Sequence, residues 1–169
     1  MIFRLLICSF AVLVLTACSS KPPPQLVKAD PSSEPQHIYL MPVIFSDPTN
    51  LDKVKNECSM LEMLKKSIIQ TSTDYQLKFE QLENEIVQNP ETLQVKVEFT
   101  EVIPHRWTFM AIRPSSTASF RISIYKNGKL TNEVVKSIGS GMALGACDRL
   151  EKIAISTGRY VNAWVSKQI

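Results

Sequence analysis

Two histidines, four cysteines and one glycine-rich stretch are the residues of this 169-residue chain best suited to chemistry. His37 and His105 are the only imidazoles, and an imidazole titrates near neutral pH, where it can act as a base or a metal ligand. Neither belongs to a paired motif. A zinc site built from Cys58, Cys147 and one histidine would draw its ligands from distant parts of the chain, without the close spacing of zinc motifs. No serine or threonine lies in a nucleophile elbow. Glu80, Glu83 and Glu85 read as a solvated face rather than a glycosidase pair. The run Gly139-Ser140-Gly141-Met142-Ala143-Leu144-Gly145 falls between an expected strand and helix and so imitates a dinucleotide loop. A dinucleotide unit needs a further parallel strand and an acid about 20 residues on, and no Asp or Glu follows Glu151. The glycines are read as easing the chain into a helix. No Gly-Lys-Ser/Thr phosphate loop is present. The expectation is a non-catalytic protein without metal or cofactor.

Cys18 has a different chemistry. Arg4 precedes the apolar run LLICSFAVLVL (residues 5–15), and small residues follow at Ala17, Ser19 and Ser20, the order of an export signal. The run is shorter than the roughly 20 apolar residues that span a bilayer. Leu15-Thr16-Ala17-Cys18 resembles the lipobox of bacterial lipoproteins. The resemblance implies cleavage before Cys18 and acylation of that cysteine. Each buried methylene contributes about 0.8 kcal/mol, and several chains anchor stably where one holds only marginally. It further implies the outer membrane, facing the periplasm, because Ser19 and Ser20 stand where an Asp tends to favour retention at the inner one. The expected organisation is a signal over 1–17, a lipidated Pro/Ser-rich tether over 18–36 and a single domain over 37–169. The tether segment SSKPPPQLVKADPSSEPQ reaches roughly 55 Å at most if it takes the polyproline rise. Loss of Arg4 lowers the formal net charge of +3 by one, and no basic stripe interleaved with aromatics marks a nucleic-acid surface.

Cys8 leaves with the signal and Cys18 is acylated, so Cys58 and Cys147 remain in the folded body. In an oxidising compartment an even pair favours a disulfide, although two separate buried thiols would also satisfy the sequence.

These residues need elements to position them. The run IYLMPVIF (38–45) reads as a buried strand, with Pro42 suiting an edge or a bulge. Leu51, Val54, Cys58, Leu61, Leu64 and Ile68 step by three or four and predict a helix over 51–70 with Cys58 on its buried face. Tyr75, Leu77 and Phe79 suggest a second strand. Leu93, Val95, Val97 and Phe99 alternate with polar residues, as do Phe120, Ile122 and Ile124, which run into Asn127-Gly128, a type I′ turn signal, and a returning strand over 130–138. A closing helix is expected over 146–166, with Arg149 off its apolar face and Gly158 weakening its middle enough for a kink. The fold class is α/β (α+β-like) in two layers: a mixed four- to five-stranded sheet with two main helices on one face. The disulfide would then clamp the helices side by side.

With the opening IYLMPVIF, the hairpin SIYKNGKL and the final helix, this order over residues 38–169 is similar to the amino-terminal domain of TolB and related small domains of periplasmic lipoproteins. Such domains mostly bind other envelope proteins. The resemblance therefore implies a binding module with an envelope protein as partner and no functional motif of its own. Residues 104–117 (PHRWTFMAIRPSST) are the candidate contact, because Arg106, Trp107, Phe109 and Arg113 are of the types enriched at interface hot spots. The same residues suit a connection folded onto the core. A carrier of a small apolar or lipid ligand and a weakly marked hydrolase stay open as alternatives.

Overall fold

Apolar and polar residues alternate most regularly in the middle of the chain, and there the backbone forms its longest strands. The computed structural model describes residues 34–46, 58–82, 92–106, 115–140, 143 and 145–169. Strand β4 (Leu93–Arg106) pairs antiparallel with β5 (Ser115–Lys126), placing Val95, Val97 and Phe99 opposite Ile124, Ile122 and Phe120 on one face. All six side chains are buried. Asn127 and Gly128 both take positive φ, 56° and 70°, as a two-residue primed turn requires. The chain returns as β6 (Lys129–Gly139) on the far side of β5.

The remaining strands are β1 (Gln36–Leu40), β2 (Ile44–Phe45) and β3 (Leu77–Gln81). The sheet order is β3-β1-β4-β5-β6, with β1 parallel to both its neighbours and β2 parallel to β4. Among the described residues the sheet thus has six strands, more than the four or five expected, because the run 38–45 is divided. Leu40 pairs with Val95 and Ile44 with Glu98, so the first strand spends one residue more than β4 between these pairs. Pro42 sits in that surplus, where its missing N–H interrupts no ladder. On either side, Met41 N–H bonds Val95 O and Ser46 N–H bonds Phe99 O, both at 2.9 Å.

Two helices cover one face. Helix α1 (Met60–Thr71) buries Met60, Leu64 and Ile68, and α2 (Ala146–Val165) buries Leu150, Ile153, Ala154, Val161 and Val165. Asn162 donates to Ile68 O over 2.9 Å and to Thr71 Oγ1 over 2.7 Å, tying the last turn of α1 to α2. Helix α1 begins later than the spacing predicted, and residues 51–57 lie outside the described residues. Cys58 therefore precedes the helix and its N-cap Ser59, instead of lying on a helical face. Gly158 likewise differs from expectation. Helix α2 runs through it, and a Cβ there would stand 2.5 Å from Ser67 Oγ and 2.9 Å from the Ile68 amide nitrogen. The glycine serves close approach of α1, sealed by a 2.8 Å hydrogen bond from Ser67 Oγ to Ile155 O.

Candidate functional site

Because β1, β3, β4 and β6 run the same way, the sheet has two chemically different ends. At one end lie the starts of β1, β3 and β6. At the other, β4 passes toward β5 through residues 107–114, and the helix α2 begins.

The expected loop over 104–117 is shorter than its composition implied. Pro104, His105 and Arg106 continue β4 and Ser115, Ser116 and Thr117 open β5, with Arg106 opposite Ser115. Trp107, Phe109 and Arg113, and the side chain of Arg106, lie outside the described residues, as does Cys18. What the structure describes is the root of this connection.

Arg149, in the first turn of α2, holds that root. It is only 2 % exposed, contrary to its expected place off the apolar face. Its Nε donates to Ser116 Oγ at 2.9 Å, and its two terminal nitrogens reach Ala143 O and Pro104 O, each at 3.3 Å. One of them also faces His105 Nδ1 at 3.3 Å. Ser116 Oγ in turn donates to Pro104 O at 2.6 Å, so its proton points at a carbonyl. Ser116 and Ser140 exchange two further bonds, Ser116 N–H to Ser140 Oγ at 2.9 Å and Ser140 N–H to Ser116 O at 2.8 Å. One guanidinium, with its five fixed donors, thereby joins β4, β5, the glycine-rich run and α2. The sequence carried one sign of this, since Arg149 shares the helical row of Ile153 and Thr157.

Helix α2 enters this end through Gly145, whose N–H donates to Asp148 Oδ2 at 3.3 Å. A Cβ on Gly145 would meet that carboxylate oxygen at 3.0 Å, which fits the reading of these glycines as a way into the helix. Cys58 and Cys147 form the disulfide, with Cα atoms 5.1 Å apart. It ties the residue before the N-cap of α1 to the first turn of α2, close to Arg149. Ser59 N–H adds a 3.4 Å contact to Glu151 Oε1. The two sulfurs are thus joined to each other and not set out as metal ligands. Among the described residues no group of three or more His, Cys, Asp or Glu side chains gathers. His37 lies in β1 and faces Glu80 at 3.8 Å; it belongs to the opposite end from His105.

Two other places have site-like geometry. The sheet face away from the helices carries Glu98, whose carboxylate meets Arg121 at 2.8 Å and Lys96 at 3.1 Å. Burial pushes this carboxyl up, yet the hydrogen bonds and positive charge of Lys96 and Arg121 together outweigh it and hold the group below its ordinary value. Beside the Pro42 break lies a cavity of about 460 Å³, walled by Met41, Val43, Leu61 and Leu82, with Glu62 and Lys65 beside them.

No known family profile matches the sequence, and no curated protein is similar to it. Solved structures do resemble the fold. Protein XCC0632 from Xanthomonas campestris is 10 % identical, with a TM-score of 0.54 covering 84 % of this chain and 92 % of that one. This likeness is one of fold. A minor lipoprotein from Acinetobacter baumannii (8 % identity, TM-score 0.45, 79 % and 94 % covered) and lipoprotein GNA1162 from Neisseria meningitidis (13 %, 0.36, 76 % and 99 %) are more distant in shape.

Proposed function

We propose that this chain is a non-catalytic lipoprotein of the bacterial outer membrane, anchored through Cys18, whose domain binds another envelope protein through the β4–β5 connection. The anchoring rests on the Leu15-Thr16-Ala17-Cys18 motif. The observation that carries the binding role is the clamp of Arg149 on Pro104 O and Ser116 Oγ. A buried charge with several directed hydrogen bonds fixes the base of a connection rich in aromatic and arginine residues. Rigid bases lower the ordering cost that binding otherwise incurs. That base also lies at the end of the sheet away from Gln36, so the tether reaches the domain from the opposite side.

Crosslinking in cells with capture of the partner tests the role. Trp107→Ala is expected to weaken capture by about thirtyfold, the scale of a hot-spot loss of about 2 kcal/mol. Thermal unfolding is expected to stay nearly unchanged. A stability loss of about 3 to 5 kcal/mol would instead make Trp107 a core residue. Cys18→Ala is expected to leave an unacylated protein; normal acylation in that variant would remove the anchor reading.

A second reading is favoured by the cavity beside Pro42, whose volume of about 460 Å³ is in the range of small-molecule sites, about 300 to 1,000 Å³. Its wall, apolar at Met41, Val43, Leu61 and Leu82 and polar at Glu62, Lys65 and Gln81, suits an amphiphilic, lipid-like ligand. Saturable displacement of a bound apolar fluorophore, abolished by Leu61→Trp, would support a carrier.

A further inference from the structure

The end of the sheet away from the Arg149 clamp has a surface of its own. Tyr39 is level with Gln94, and Gln94 with Tyr125, so Gln36, three residues before Tyr39, is level with the β5–β6 turn. With strands about 4.8 Å apart, that turn lies roughly 10 to 15 Å across the sheet from the point where residues 18–35 join the domain. Lys126 and Lys129 stand directly opposite each other there. Like charges so placed are destabilising, and an anionic surface relieves them. Asn132 Nδ2 donates to Gln168 Oε1 at 2.7 Å, which brings Lys167 and Ile169 to the same corner. Leu130 is 51 % exposed and Ile169 48 %. Among the described residues, none of these three lysines has an ion-pair partner. Among the described residues, the acids nearest this corner are Glu133, about 13 Å along β6 from Lys129, and Glu34 and Asp74, which lie toward β1 and β3 about a Debye length or more from β6.

We propose that this corner is a membrane-facing foot: Lys126, Lys129 and Lys167 contact the headgroups of an anionic phospholipid bilayer while Leu130 and Ile169 enter its interface. The inference rests on the lipoprotein reading, since the anchor brings the corner to the bilayer. It orients the domain with the β4–β5 connection pointing away from the membrane. Residue 137 of β6 is about 26 Å along the strand from Lys129, beyond the reach of headgroup charge.

The test uses the acylated full-length product in phosphatidylcholine vesicles, with and without phosphatidylglycerol. An environment-sensitive fluorophore is placed on Ile169→Cys or on Ser137→Cys. With phosphatidylglycerol the label at 169 is expected to be shielded from a water-soluble quencher, and the label at 137 to stay accessible. Each lysine at such a surface contributes about fivefold. Lys126→Ala with Lys129→Ala is therefore expected to lower the shielded-to-exposed ratio about twenty-fivefold, as is raised salt in the same direction. Equal quenching at both positions, in protein shown by mass spectrometry to be acylated on Cys18, would overturn the foot and leave the anchor standing. Absence of acylation would overturn the anchor and the foot with it.

Discussion

The guanidinium of Arg149 donates from Nε to Ser116 Oγ over 2.9 Å, joining the first turn of α2 to the start of β5. Removing it takes the donor from Ala143 O and leaves Pro104 O and the Ser116 hydroxyl with only their bond to each other. Arg149→Met is expected to cost about 2 to 3 kcal/mol, the scale of losing charge-assisted hydrogen bonds and leaving a buried acceptor without a donor. Urea unfolding measures the loss, and hydrogen exchange should quicken first at residues 115–117. A variant as stable as the parent, with unchanged exchange there, would show that the clamp does not hold the root.

Gly158→Ala sets two effects against each other. Helix propensity alone would gain up to about 1 kcal/mol. The new Cβ, however, falls 2.5 Å from Ser67 Oγ and 2.9 Å from the backbone nitrogen of Ile68. The second contact cannot swing aside, so the helices must part, and overpacking of this kind costs about 1 to 3 kcal/mol. Thermal unfolding is expected to fall, and Ser67→Ala in the same chain to restore only part of the loss. Full restoration would place the conflict on the Ser67 side chain alone.

Glu98 gives stability a dependence on acid. Its carboxyl titrates lower in the fold than in the unfolded chain, so the native state binds its proton less readily. The contribution is complete above the ordinary carboxylate value of about 4.3 and fades as pH falls through the lower folded value. Glu98→Gln is expected to flatten the fall of the urea midpoint as pH drops below about 4.3, relative to the parent. Unfolding curves at stepped pH check this; identical slopes for the two proteins would rule it out.

The bridge from Cys58 to Cys147 closes a sequence separation of 89 residues. Chain-entropy reasoning puts its contribution at about 4.6 kcal/mol. Replacing both cysteines by serine should remove most of that, read by denaturant unfolding, and loosen the N-terminal turn of α1 more than its Asn162-held C-terminal turn. Mass spectrometry of unreduced peptides checks the pairing itself.

Much of this was legible in the sequence because local pattern and tertiary burial agree. Helix α2 begins at the expected Ala146, and the Asn127-Gly128 turn has the positive φ that its residue types invite. The alternation about Val95, Val97 and Ile122 marks the buried face correctly. What was not legible depends on partners distant in sequence. The row shared with Ile153 and Thr157 hints that Arg149 turns inward, but it does not announce that Pro104 and Ser116 will surround it, so a charge in a first helical turn reads as exposed. Gly158 looks like a weak point until Ser67 is seen against it. Pro42 signalled a bulge, but not that the same strand would have a parallel neighbour on each side. The candidate contact residues Trp107, Phe109 and Arg113 fall outside the described residues, so only their support could be placed.

The position of β1 has a mechanical consequence. A pull on the chain ahead of Gln36 is transmitted into a strand with β3 along one edge and β4 along the other, both parallel to it. If the domain is held at the far end of the sheet, the load runs along the strand axis. Hydrogen bonds in both ladders then bear the load together in shear, instead of opening one at a time as they would if an edge strand were peeled away. The bond from Met41 N–H to Val95 O and the short β2 beyond it lengthen the sheared seam toward Phe45. Tension between the chain ahead of Gln36 and the far end of the sheet therefore meets the strands in their resistant direction, whereas the same force applied sideways to β6 would peel one ladder.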